Sequence, residues 1–156
     1  MGQNIVIVNR QRTKRIKTRL LRQIVTDIFA ELEITEVELG INLVGAKEMA
    51  QVNWDFLQHE GSTDVITFDH RESGVKIHGE LFISVDDAVT QAKNFKTTWQ
   101  TEVVRYVVHG ILHLLGYDDL KPDLRRKMKR EENRLVRLLA KRFALAELSR
   151  TTKLKA

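Results

Sequence analysis

The stretch from Tyr106 to Tyr117, YVVHGILHLLGY, constrains this chain more than any other. It is the most apolar segment, it lies inside a helix predicted over residues 98–115, and Gly116 is placed to end that helix in a left-handed conformation. A helix this apolar belongs at the centre of a core. Yet it carries two imidazoles, His109 and His113. Residues four apart on a helix differ by about 40° in direction and about 6 Å in height, so these two point the same way and can share one ion. Gly116 then reverses the chain and lets Asp118 or Asp119 fold back toward them, giving the spacing H-x-x-x-H-x-x-G-x-x-D. The competing explanation is a pair of core histidines four apart by accident. The glycine and the acid at their required offsets favour the metal.

The chain contains no cysteine, so any metal must be held by nitrogen and oxygen, and disulfides and cysteine nucleophiles are excluded. Zinc accepts such ligands, and three of them leave a fourth position open for chemistry. The expected ligands are therefore His109, His113 and Asp119, with Zn2+ as the expected ion. Zinc peptidases place a glutamate directly after the first histidine, where it acts as general base. Here that position is Gly110, which disfavours peptide hydrolysis by that route. Asp118 is the other candidate proton acceptor.

Around this helix, NIVIV at 4–8 predicts a strand, and apolar residues from Ile16 to Leu32 recur at helical spacing, predicting a helix over 14–32. Residues 37–44 alternate as a second strand, residues 46–57 read as a helix, and HEGST follows as a loop. DVITF at 64–68 and ELFIS at 80–84 are two more strands, joined by the polar connection DHRESGVKIHG. A helix over 86–95 follows, and Pro122 opens a last helix running to about Leu148. These elements predict an α+β fold: a small mixed four-stranded sheet packed with about five helices, one of them a zincin-like metal-site helix. Residues 1–150 are expected to form a single domain, with a frayed tail at 151–156.

Charge adds a partner. The net charge is +5, but residues 121–156 hold thirteen Lys or Arg against four acids, while residues 1–120 sum to −4. A second basic cluster runs from Arg10 to Arg22 and includes Lys14 and Arg15. Such patches suit a polyanion, and RNA is the commonest one in a cytoplasm. The plainer alternative is a pair of solvated helix faces. The N-terminal MGQNIVIVNR lacks the segments of a signal peptide and no stretch is long enough to span a bilayer, which predicts a cytoplasmic protein with no membrane partner. Trp54 and Trp99 are available for base stacking or for packing, and His70 and His78 for the surface or as substitute ligands.

HGILHLLGYDD at 109–119 resembles the motif H-G-x-L-H-L-x-G-Y-D-H of the YbeY endoribonucleases, which act in bacterial ribosomal RNA maturation and ribosome quality control. TDVITF at 63–68 is similar to that family's T-D-V-L-S-F strand, GELFIS at 79–84 to its G-D-I-x-I strand, and Asn53 stands where the family has asparagine. The resemblance covers about residues 37–120. It implies a small α+β fold, a bound zinc-like ion and metal-dependent cleavage of single-stranded RNA, with ribosomal RNA and the ribosome as partners. Carried over position by position, the ligands are His109, His113 and the residue at 119.

Two departures from the family stand out. Its third histidine is Asp119 here, an exchange that a zinc site accepts but that lowers the charge of the site by one. The family also has an arginine four residues after Asn53, whereas this chain has Leu57. Arg105, one turn before His109, is placed either to supply the missing guanidinium or to stand as an exposed charge, and His59 either to meet phosphate or to stay in solvent. The expected catalytic set is His109, Asp118 and Arg105, and the expected RNA-binding set is Arg105, His59, Lys14 and Arg15. The rival readings are a noncatalytic RNA-binding ribosome-assembly factor with a structural metal, and a metal-dependent hydrolase or peptidase.

Overall fold

The computed structural model describes residues 2–71 and 76–149. The expected frayed tail at 151–156 and part of the connection between the last two strands lie outside the described residues. The chain runs β1 (Gln3–Asn9), α1 (Thr18–Glu31), β2 (Val37–Val44), α2 (Ala46–Val52), β3 (Val65–Asp69), β4 (Ile77–Ser84), α3 (Val85–Phe95), α4 (Trp99–Leu114) and α5 (Pro122–Arg142). The strands form one mixed sheet in the order β1-β2-β4-β3. The first two pairings are parallel, and β3 is antiparallel to β4. The α+β class and the four-stranded mixed sheet expected from the sequence are borne out.

Alternation along the strands decides which face is buried. Leu39, Ile41, Leu43, Leu81 and Ile83 point to the face covered by α1 and α4, where they join Leu21, Ile24, Ile28, Val104, Val107, Val108 and Ile111 in the main core. Among the described residues the opposite face is covered only at one end. There Val44, Met49, Val52 and Ile66 form a smaller cluster with Phe68 and Phe82. Elsewhere on that face Val6 and Val8 remain exposed.

Helix α4 lies directly on β4, and two glycines permit the approach. A Cβ at Gly110 would come within 2.6 Å of Leu81 Cδ2, and one at Gly79 within 2.5 Å of the Phe68 carbonyl oxygen and 2.8 Å of Leu114 Cδ2. Gly110 therefore faces the sheet. The position where peptidases carry their glutamate points into the core against Leu81 rather than toward the imidazoles.

Four boundaries differ from the sequence reading by more than one residue. Helix α1 begins at Thr18 rather than 14, because residues 11–14 are tied by Gln11, whose Oε1 accepts from the Thr13 and Lys14 N–H groups. The helix expected over 46–57 is α-helical only to Val52 and continues as a π-turn over Asn53–Leu57, which Gln58 ends with a φ of 58°. Strand β4 begins at Ile77, since Ile77 and Gly79 pair with Val37 and Leu39 of β2. Helix α5 stops at Arg142, Phe143 turns extended, and a 3-10 turn over Leu145–Leu148 puts Leu145 and Leu148 into the core. Among the described residues no helix is long and apolar enough to cross a membrane.

Candidate metal centre

The end of α4 builds the site. Thr98 caps its start by accepting the Thr101 N–H, and Gly116 (φ 99°) closes its end. The Gly116 N–H donates to the His113 carbonyl and the Tyr117 N–H to the Leu112 carbonyl, the two hydrogen bonds of a Schellman turn. The same turn brings the Tyr117 carbonyl to 3.1 Å from His113 Nδ1 and carries Asp119 back over the helix.

His109 Nε2 and His113 Nε2 lie 3.1 Å apart, and Asp119 Oδ2 lies 3.8 Å from the first and 3.5 Å from the second. These three atoms form a triangle whose corners are each about 2.0 Å from a common centre, which matches the bond lengths of about 2.0 to 2.2 Å that zinc makes to nitrogen and carboxylate oxygen. The other ring nitrogens are committed. His109 Nδ1 is 2.7 Å from Glu132 Oε1 and His113 Nδ1 donates to Tyr117, an arrangement that turns both Nε2 lone pairs toward each other. Two lone pairs facing at this distance repel unless a proton or a cation sits between them. Among the described residues this is the group of three such side chains that could hold a metal ion. The donor set fits zinc.

Glu132, on α5, organises the surroundings. Its side chain is 4% exposed, and its Oε2 accepts from Arg105 Nη1 at 2.7 Å and from Lys129 Nζ at 3.1 Å. Burial alone would push this carboxyl up, but the hydrogen bonds from His109 and Arg105 and the charge of Lys129 hold it down at about 2. Burial raises the neighbouring Glu102 against the pull of Arg105 and Lys129. It likewise raises the Tyr106 hydroxyl, which has no hydrogen-bond partner among the described residues.

Two clefts flank the cluster. One, of roughly 710 Å³, opens between α4 and α5 and is lined by Arg105, His109, Asp119, Arg125, Lys129 and Glu132, among others. The other, of roughly 500 Å³, lies over β3 and is lined by Leu57, Asp64, Thr67, Asp69, His113 and Asp119, among others. Asn53 places Leu57 there. Its buried Nδ2 donates to the Gly61 carbonyl at 2.9 Å and its own carbonyl accepts the His59 N–H, which draws residues 53–61 into a closed loop.

The expected residues are distributed unevenly. His109, His113 and Asp119 come together, and Arg105 stands beside them with Nη1 held by Glu132 and Asn133. Asp118 shapes the turn instead, its Oδ1 accepting the Leu120 N–H at 2.8 Å, and it lines neither cleft. His59 is exposed behind the π-turn. Lys14 and Arg15 precede α1, and Lys14 Nζ sits 5.9 Å from the centre of the Trp99 ring. Trp99 is ten residues before His109, about 15 Å along the helix. His70 and His78 lie on the opposite face of the sheet, where His70 Nε2 is 3.4 Å from Glu80 Oε2. The sequence reading missed Glu132, Asp64, Arg125 and Lys129. Glu132 left one signal: it falls on the buried stripe of α5 with Met128, Leu135, Val136 and Leu139.

A mixed sheet carrying a helix whose two imidazoles meet a carboxylate from the following turn defines an α+β protein with a zincin-like metal centre. Comparison with known proteins narrows this. The family model described as endoribonuclease YbeY matches residues 6–140. An endoribonuclease YbeY from Chlorobium phaeovibrioides is 34% identical over 76% of this chain and 80% of its own, and one from Bacteroides fragilis is 35% identical over 78% and 86%. The solution structure of TM1509 from Thermotoga maritima aligns with a TM-score of 0.66 at 26% identity, covering 87% of this chain and 89% of that one. The chain belongs to the YbeY endoribonuclease family.

Proposed function

We propose that this protein is a metal-dependent, single-strand-specific endoribonuclease that acts in the cytoplasm on ribosomal RNA, in its maturation and in ribosome quality control. The observation that carries the reading is the convergence of His109 Nε2, His113 Nε2 and Asp119 Oδ2 at 3.1 to 3.8 Å on the edge of two open clefts. Family membership supports RNA as the substrate class.

When bound there, a divalent ion such as zinc would supply Lewis-acid stabilisation of a scissile phosphate and a more acidic water. The remaining roles fall to the chain. Glu132 fixes the tautomer and direction of the His109 ring, and the Tyr117 carbonyl does so for His113. Arg105, held by Glu132 and Asn133 beside the cluster, offers positive charge to a developing phosphate anion. Asp118 adjoins the ligand Asp119 in the turn, and its oxygen not used by Leu120 would accept a proton from water only once the side chain turned into a cleft, neither of which it lines here. His59, Lys14 and Arg15 would contact the strand away from the scissile bond.

The experiment is incubation of the purified protein with single-stranded RNA, with and without chelator, beside His113→Ala. The expected result is cleavage that both treatments abolish. Cleavage indifferent to both would remove the site from the reaction.

One observation favours a second reading. Leu57, 43% exposed, lines the β3 cleft where the family resemblance implies an arginine. A ribosome-assembly factor that binds RNA and keeps the metal as structure would be supported by stoichiometric zinc and retained RNA with no cleavage across several divalent ions. Gly110, pressed against Leu81, gives the peptidase reading no general base.

A further inference from the structure

The two clefts beside the metal cluster differ in charge. Among the described residues, the one over β3 is lined by Asp64, Asp69 and Asp119 and by no Lys or Arg. The one between α4 and α5 places Arg105, Arg125 and Lys129 on its walls with Asp64, Glu102, Asp119 and Glu132. Glu132 is already neutralised by its bonds to Arg105, Lys129 and His109. Among the described residues a phosphodiester approaching the cluster therefore finds Lys and Arg side chains on the α4–α5 side alone, where Arg105 and Lys129 are already paired with Glu132 and Arg125 is paired with no carboxylate.

Arg125 and Lys129 are the cations suited to receive it. Both are exposed and stand four residues apart on α5, which sets them on one face. Arg125 Nε donates to the Asp119 carbonyl at 3.1 Å, so its guanidinium is tethered to the very turn that presents Asp119 Oδ2 to the imidazoles. Its terminal nitrogens have no hydrogen-bond partner among the described residues. Lys129 reaches Glu132 from a side chain that remains 61% exposed. Arg105, by contrast, has Nη1 committed twice.

We propose that Arg125 and Lys129 form the phosphate-binding wall of the substrate site, so that the RNA strand enters along α5 through the cleft between α4 and α5 and does not cross Leu57. This rests on the endoribonuclease reading above and adds a route and two binding residues to it.

The test is fluorescence anisotropy of a labelled oligouridine titrated with the full-length protein in chelator, where no cleavage intervenes, across a range of salt concentrations. Arg125→Gln with Lys129→Gln is expected to weaken binding about tenfold and to flatten the log–log salt dependence by about 1.4, the share of two phosphate contacts on a single strand. Arg137→Gln with Lys141→Gln, the same charge change farther along α5, and Leu57→Ala are each expected to stay within about twofold. Equal losses from the two α5 pairs, or a loss from Leu57→Ala as large as that from the first pair, would overturn the route. One-to-one zinc binding by every variant checks the fold. If binding depends on Arg125 and Lys129 in a protein that never cuts RNA, the route stands and the nuclease reading falls. If the Arg125 and Lys129 double variant cuts RNA with an unchanged KM, the nuclease reading stands and the route falls.

Discussion

Glu132 accepts the Nδ1–H of His109 at 2.7 Å from a side chain that is 4% exposed, so a buried carboxylate on α5 sets the direction of a metal ligand on α4. Glu132→Gln keeps the shape but not the charge, and whichever way its amide turns, the NH2 group meets a donor, His109 on one side or Arg105 and Lys129 on the other. The expected result is zinc affinity lower by about 10- to 100-fold, read by competition against a chromophoric chelator. Unchanged affinity would mean that the ring is oriented by packing alone.

Zinc bound only by the folded protein stabilises it by about 2.7 kcal/mol at a free concentration one hundred times Kd. The rise in melting temperature should disappear in Asp119→Ala and in His109→Ala. Asp119→His should retain it, because an imidazole nitrogen is also a zinc ligand. A melting curve of Asp119→Ala that still responds to zinc would place the third ligand elsewhere.

The two glycines under α4 differ in what blocks them. At Gly110 the obstacle is the end of the Leu81 side chain at 2.6 Å, whereas at Gly79 it is the backbone oxygen of Phe68 at 2.5 Å together with Leu114. Gly110→Ala should cost about 1 to 3 kcal/mol in urea unfolding, and Gly79→Ala should cost more, since a backbone atom cannot rotate away. The reverse ranking would show that α4 shifts more readily than the strand.

Asn53 links the π-turn to Gly61. Asn53→Ala leaves the Gly61 carbonyl without that bond and should lower stability by about 1 to 2 kcal/mol, with faster amide exchange concentrated in the loop it closes. Uniform exchange across the chain would mean that the loop is held by other contacts.

Much of the site was legible because it is local. His109, His113, Gly116 and Asp119 lie within eleven residues, and helix periodicity with a left-handed glycine is enough to turn their side chains toward one point. The strands were legible from alternation, although β4 was read three residues short because His78 and Gly79 dilute it. The π-turn was not legible. It depends on Asn53 meeting Gly61 across a loop, and helix propensity over residues 46–57 carries no mark of that bond.

The sequence by itself determined the ligand spacing, the α+β class and the excess of positive charge in the last helix, since each follows from periodicity or composition along the chain. Only the tertiary structure decided that Glu132 stands behind His109, that Asp118 turns to Leu120, and that the cations Arg125 and Lys129 share a cleft with the cluster. Those relationships are set where α5 packs on α4. Which charges meet there depends on the rotation of one helix against another, and that is fixed by the burial of Met128, Leu135, Val136 and Leu139 in the common core.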